Sequence, residues 1–132
     1  MKSITEKYAA AFFEDLDTLG IVRAEAYPAA TDHIPEMIKL IKQLRENGHT
    51  YEDNGSIYFK ISSYEEYGKL SHMDLEQLQA GGSGRVDSDE YESDDARDFA
   101  LWKAYTEEDG DVFWETELGK GRPGWHIECS AM

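Results

Sequence analysis

The dipeptide Asn54-Gly55 does more than any other feature to restrict the folds open to this chain. A two-residue hairpin of type I′ needs positive φ at both central positions, and Asn-Gly supplies it most readily. Behind the pair, Ile57, Phe59 and Ile61 alternate with Tyr58 and Lys60. That is the period of a strand with one buried face. The partner strand is expected over residues 49–53, so the chain must contain antiparallel sheet.

Two helical patterns precede the hairpin. Ser3 followed by Glu6 makes a capping box. Ile4, Tyr8, Phe12, Leu16 and Leu19 then recur at helical spacing, and Gly20 supplies a stop. The stripe predicts a face turned to the core. A second helix is expected after a cap at Thr31 or Asp32, with Pro35 in the first turn, where its missing N–H does no harm. Ile34, Met37, Ile38, Ile41 and Leu44 form its stripe, and Asn47-Gly48 ends it. His33 sits beside the cap and reads as a surface or cap residue.

Beyond the hairpin, Leu75 and Leu78 suggest a short helix opened by Ser71 and ended by Gly81. Gly81-Gly82-Ser83-Gly84 reads as a flexible joint; it lacks the Gly-Lys-Ser/Thr ending of a phosphate loop. Residues 87–98 hold seven carboxylates and one Arg. A calcium loop is disfavoured there, because Glu92 takes the place of the sharp-turn Gly and Asp98 that of the closing Glu. A solvated acidic loop is expected. Phe99-Ala100-Leu101-Trp102-Lys103 is a buried run of undecided type. Val112-Phe113-Trp114 suggests a short strand, and Gly119, Gly121, Pro123 and Gly124 a tight connection. Residues 125–132 read as a strand. That strand has no cap, turn or polar tail after it, which predicts a piece of a longer protein.

Composition narrows the function classes. In 132 residues, 13 Lys and Arg face 28 Asp and Glu, a formal net charge of −15. So acidic a chain is not expected to grip nucleic-acid phosphates directly or an anionic membrane surface. No apolar run approaches the roughly 20 residues that a bilayer requires. No signal core marks the N-terminus, and a single cysteine makes no internal disulfide, so a reducing, cytoplasmic home is expected.

The chemistry-bearing residues gather late. On a strand, Trp125, Ile127 and Cys129 share one face and His126, Glu128 and Ser130 the other. His126 is then badly placed as a base for the Cys129 thiol, which argues against a cysteine nucleophile. A closed zinc site needs four ligands. One cysteine and four scattered histidines (His33, His49, His72 and His126) do not build one at paired-ligand spacing. Cys129 and Trp125 could wall a small pocket or pack as ordinary core.

The stretch Gly119-Lys120-Gly121-Arg122-Pro123-Gly124-Trp125-His126-Ile127-Glu128-Cys129-Ser130-Ala131-Met132 closely resembles a signature of the cysteinyl-tRNA synthetases. Tyr8-Ala9-Ala10-Ala11-Phe12-Phe13-Glu14-Asp15-Leu16-Asp17, His33-Ile34-Pro35-Glu36-Met37-Ile38, Tyr67-Gly68-Lys69-Leu70-Ser71, Leu75-Glu76-Gln77-Leu78-Gln79-Ala80-Gly81 and Asp98-Phe99-Ala100-Leu101-Trp102-Lys103 resemble the same family in the same order. The likeness runs through nearly the whole chain.

The resemblance implies a class I aminoacyl-tRNA synthetase whose Rossmann-like catalytic domain is split by an insertion. The implied fold is α+β, helices on a small antiparallel sheet. Residues 1–121 would form the insertion and its connection, and residues 122–132 the first strand of the second catalytic half. In that family zinc binds the thiolate of substrate cysteine, and the cysteine of the Trp-His-Ile-Glu-Cys stretch, Cys129 here, is one of its ligands. Trp125 matches an aromatic wall of the cysteine pocket, and His126 an active-site neighbour. Zinc, ATP, cysteine and tRNA(Cys) are therefore implied for the parent enzyme, with no catalytic residue in this chain. The family's His-Ile-Gly-His and Lys-Met-Ser-Lys-Ser motifs, its other zinc ligands and its tRNA-reading helical domain are absent from these residues, so the isolated chain is expected to be inactive. Two alternatives remain: a related ligase joining cysteine to an amino sugar, and a stand-alone interaction module.

Overall fold

A computed structural model describes residues 2–70 and 98–132. The expectations for the 71–81 helix, the 81–84 joint and the acidic stretch up to residue 97 lie outside the described residues. The elements are α1 (Lys2–Thr18), α2 (Ile34–Glu46), β1 (Thr50–Asp53), β2 (Ser56–Phe59), β3 (Phe99–Ala104), β4 (Trp114–Thr116), β5 (Gly119–Pro123) and α3 (Trp125–Ala131). The strands form one antiparallel sheet in the order β1-β2-β3-β5-β4. The α+β expectation is borne out.

The hairpin forms as expected. Asn54 and Gly55 take φ of 47° and 80°, and Asp53 pairs with Ser56 across them. Both faces of β2 are covered, however. Ile57 enters the core, while Tyr58, expected to face outward, is also buried and stacks on Tyr51 at 5.5 Å.

Central strand β3 explains the run of undecided type. Ile57 pairs with Trp102 and Tyr58 with Ala100, so Leu101 is the extra residue of a bulge. Leu101 and Trp102 are accordingly both buried although adjacent. They meet Ile34, Met37 and Ile41 of α2, Ile57, Leu118 and Ile127 of α3 in one core.

At α2 the expected stripe is the packed face, and Pro35 lies in the first turn. The cap differs. His33 is the N-cap residue, with no side-chain capping bond, and Thr31 and Asp32 belong to a short 3₁₀ turn before it.

α1 is helical but its stripe is not core-facing. Ile4, Tyr8, Phe12 and Leu19 are 50–72% exposed, and none belongs to the core cluster. Periodicity reports which residues share a face and says nothing of what covers it. Ser3 lies within the helix rather than before it. Gly20 does stop it. With φ of 67° it donates to Asp17 O, and Ile21 donates to Leu16 O, a Schellman end. The following loop folds back, with Arg23 bonded to Asp17 and Tyr27 edge-on to Phe13 at 4.8 Å.

Three late expectations are corrected. β4 begins at Trp114, so Val112 and Phe113 precede it. Of the glycines expected in a tight connection, Gly119, with φ of 100°, does close the two-residue turn from β4, but Gly121 lies within β5 and Gly124 at the turn into α3. A Cβ at Gly121 would lie 2.1 Å from Lys103 O, and one at Gly124 1.9 Å from Ala100 O. These glycines allow backbones to approach where the expectation was chain reversal. Residues 125–131 form a helix and not a strand. Gly124, with extended φ and ψ of −74° and 159°, is its N-cap. Ile127 and Ala131, one turn apart, then dock on the α2–sheet core. The segment 122–132 thus holds the end of β5 and α3 rather than one strand.

Candidate functional site

α3 carries all three residues singled out by sequence. At about 100° per residue, Trp125, Cys129, His126 and Ser130 fall in that order on one arc of about 140°, and Ile127 lies outside it. Burial follows the arc. Ile127 is 2% exposed, Trp125 is 80% exposed, and His126, Cys129 and Ser130 are exposed. The strand reading had placed His126 opposite Trp125 and Cys129. The helix brings it beside them, with His126 and Cys129 related as i and i+3. The orientation argument against a His126–Cys129 pairing therefore fails.

Above α3 a groove of about 400 Å³ is bounded by Leu40 and Leu44 of α2, Phe59, Phe99 and Leu101 of the sheet, and His126. The His126 ring meets Phe99 edge-to-face at 4.8 Å. Phe99 in turn stacks on its cross-strand partner Phe59 at 5.2 Å. Tyr67 closes the aromatic cluster, 6.2 Å from Phe59, and burial raises its hydroxyl above the ordinary tyrosine range.

Asp98 was expected in a solvated loop. It is instead 6% exposed and accepts the Ile61 N–H at 2.8 Å, which pins the start of β3 beside the end of β2. The contacts of Phe99 and Asp98 leave no mark in sequence periodicity; only their place in the Asp98–Lys103 stretch set them apart.

The other histidines are held elsewhere. His33 occupies the N-cap position of α2 with its Nδ1 3.8 Å from Glu36 Oε2, and His49 Nδ1 lies 2.9 Å from Ser63 Oγ. His72 is outside the described residues. Among the described residues no three His, Cys, Asp or Glu side chains converge as a metal site. Cys129 is a free, exposed thiol.

On β5, Arg122 Nε donates to Asp109 Oδ1 at 2.7 Å, and the Thr106 N–H and hydroxyl donate to Asp109 Oδ2. Burial pushes the Asp109 carboxyl up, but Arg122 and Thr106 outweigh it and hold it below the usual carboxylate range. This cluster braces β5 just before α3.

The family model for the class I (C) tRNA synthetase catalytic domain matches residues 1–132. The chain belongs to this family. Its curated relatives include the protein named "Cysteine--tRNA ligase" of Brachyspira hyodysenteriae, 61% identical over all 132 residues, which make up 28% of that relative. The protein of the same name from Protochlamydia amoebophila is 56% identical over 97% of the chain and 27% of its own length. That of Solibacter usitatus is 52% identical over the whole chain and 28% of its own length. This synthetase-family chain therefore spans little more than a quarter of the curated relatives it matches.

Proposed function

We propose that the chain is part of a cysteine–tRNA ligase, which joins cysteine to tRNA(Cys) at the expense of ATP. The observation that carries this reading is the match to ligases of that name over the full chain. The exposed arc of α3 supports it, since a residue meant to touch a substrate or metal must not be spent on this chain's core.

On this reading Trp125 lends an aromatic wall to the cysteine pocket, and His126 stands beside it. Cys129 is one zinc ligand. Its exposed thiol suits that role, and the remaining ligands would come from elsewhere in the parent enzyme. Zinc, when bound, prefers a soft thiolate to a hydroxyl, which discriminates cysteine from serine where shape alone discriminates poorly. The chain's part is to hold that thiol and indole at fixed spacing on one rigid turn, anchored by Ile127. Residues 1–121 then act as the insertion and its connection. With a net charge of −15, the chain leaves tRNA to other parts of the enzyme.

The test is cysteine-dependent ATP–pyrophosphate exchange. The parent protein should support it with cysteine and not with serine, and the 132-residue chain should not support it alone. Exchange by the isolated chain would overturn the division of labour, and a parent that activates another amino acid would overturn the reading.

A further inference from the structure

The geometry points to Phe99 as a positioning residue for the His126 imidazole, and so for cysteine binding, an inference that rests on the reading of His126 as a neighbour of the substrate. His126 stands on an exposed helix face, where a histidine ring ordinarily samples several rotamers. Here it meets the Phe99 ring in a T-shaped contact, with centroids 4.8 Å apart and planes at 65°. That is the favoured arrangement for two aromatic rings.

Phe99 is itself unusually fixed. Its ring stacks on Phe59, its directly opposed partner across the β2–β3 ladder, at 5.2 Å and 19°. Its backbone follows Asp98, whose buried carboxylate holds the Ile61 N–H at 2.8 Å. A rigid sheet position therefore sets the direction of a side chain on an otherwise exposed turn. Leucine at position 99 would keep the apolar packing and lose the ring that the imidazole meets.

The experiment uses the full-length parent, with Phe99→Leu, Phe99→Tyr, His126→Ala and the Phe99→Leu/His126→Ala double variant. KM for cysteine, KM for ATP and kcat are read from pyrophosphate exchange, and the His126 ring signal from the protein labelled on histidine. Phe99→Leu should raise the cysteine KM about three- to tenfold, with the ATP KM within twofold. It should move the His126 ring resonance, and Phe99→Tyr should restore both. In the His126→Ala background Phe99→Leu should add nothing, because both act through one ring. Additive losses, or equal losses for cysteine and ATP, would make Phe99 merely structural and overturn the proposal. If His126→Ala raises the cysteine KM and Phe99→Leu does not, the role of Phe99 alone fails. If His126→Ala leaves that KM unchanged, the reading of His126 falls and this proposal with it. Should Phe99→Leu fail to fold, Phe99→Met carries the same comparison.

Discussion

Substituting alanine for Gly124 tests whether the packing of β3 against the start of α3 is as close as described. Gly124 has φ of −74°, a conformation that alanine adopts freely. On backbone grounds alone the change would stabilise the chain by about 0.4–1 kcal/mol, by restricting the unfolded state. The surroundings reverse the sign. A Cβ there would lie 1.9 Å from Ala100 O and 2.6 Å from Ala100 C, and real Cβ atoms do not come within 3.0 Å of such neighbours. Moving from 1.9 Å to 3.0 Å needs a displacement of about 1.1 Å. The Gly124 N–H bond to Leu101 O, now 2.9 Å, does not survive a separation of that size. Overpacking costs about 1–3 kcal/mol and the lost bond about 1 kcal/mol. Less the backbone gain, the expected net destabilisation is about 1–3.5 kcal/mol, or roughly 4–14 °C in Tm. Urea unfolding followed by tryptophan fluorescence reads it through Trp102, which is 0% exposed. Gly48→Ala is the control. It meets no atom within 4 Å but has φ of 79°, so it should lose only the strain of a left-handed alanine, about 1–2 kcal/mol. A Gly124→Ala chain as stable as wild type, or more so, would refute the reasoning. In the parent enzyme the same substitution displaces the first turn of α3 and should raise the cysteine KM.

Met37→Ala should destabilise by about 2–5 kcal/mol, since Met37 is 0% exposed at the α2 contact with the core. Tyr8→Gln on α1, where Tyr8 is 65% exposed, should change the unfolding free energy read from the same urea titration by less than about 0.5 kcal/mol. The Asp109 carboxyl is held below its ordinary range in the fold, so its ionised form stabilises the folded chain. That contribution is complete above the unfolded carboxyl pKa and is lost as pH falls through the depressed folded value. Asp109→Asn should cost about 1.5–3 kcal/mol at neutral pH and flatten the acid limb of stability against pH; an unchanged acid limb would show the Arg122 contact to be idle.

What the sequence shows of this fold follows from how unambiguous each local signal is. Asn54-Gly55 was legible because few residues tolerate two successive positive φ values. The α2 stripe was legible because its period and its burial coincide. Gly121 and Gly124 were misread because glycine serves both chain reversal and close approach, and only the partner strand decides which. Trp125 and Cys129 share a face in a strand and in a helix alike, since a separation of four suits both periods. That they share a face could therefore be anticipated, while neither the secondary structure nor the exposure of that face could. His126 is the residue that distinguishes the two, and the docking of Ile127 on the core, a tertiary fact, placed it beside Cys129. The roles of Trp125, His126 and Cys129 came from family likeness and not from spacing.

On the proposed function, Cys129 faces outward on α3 to serve a metal that binds the substrate thiolate. The direct measurement is zinc content and steady-state kinetics of the full-length parent bearing Cys129→Ser. Zinc should fall well below one per protein, and the cysteine KM should rise at least about tenfold, with the ATP KM within twofold. Zinc retained at full occupancy with an unchanged cysteine KM, or equal losses for cysteine and ATP, would contradict the account.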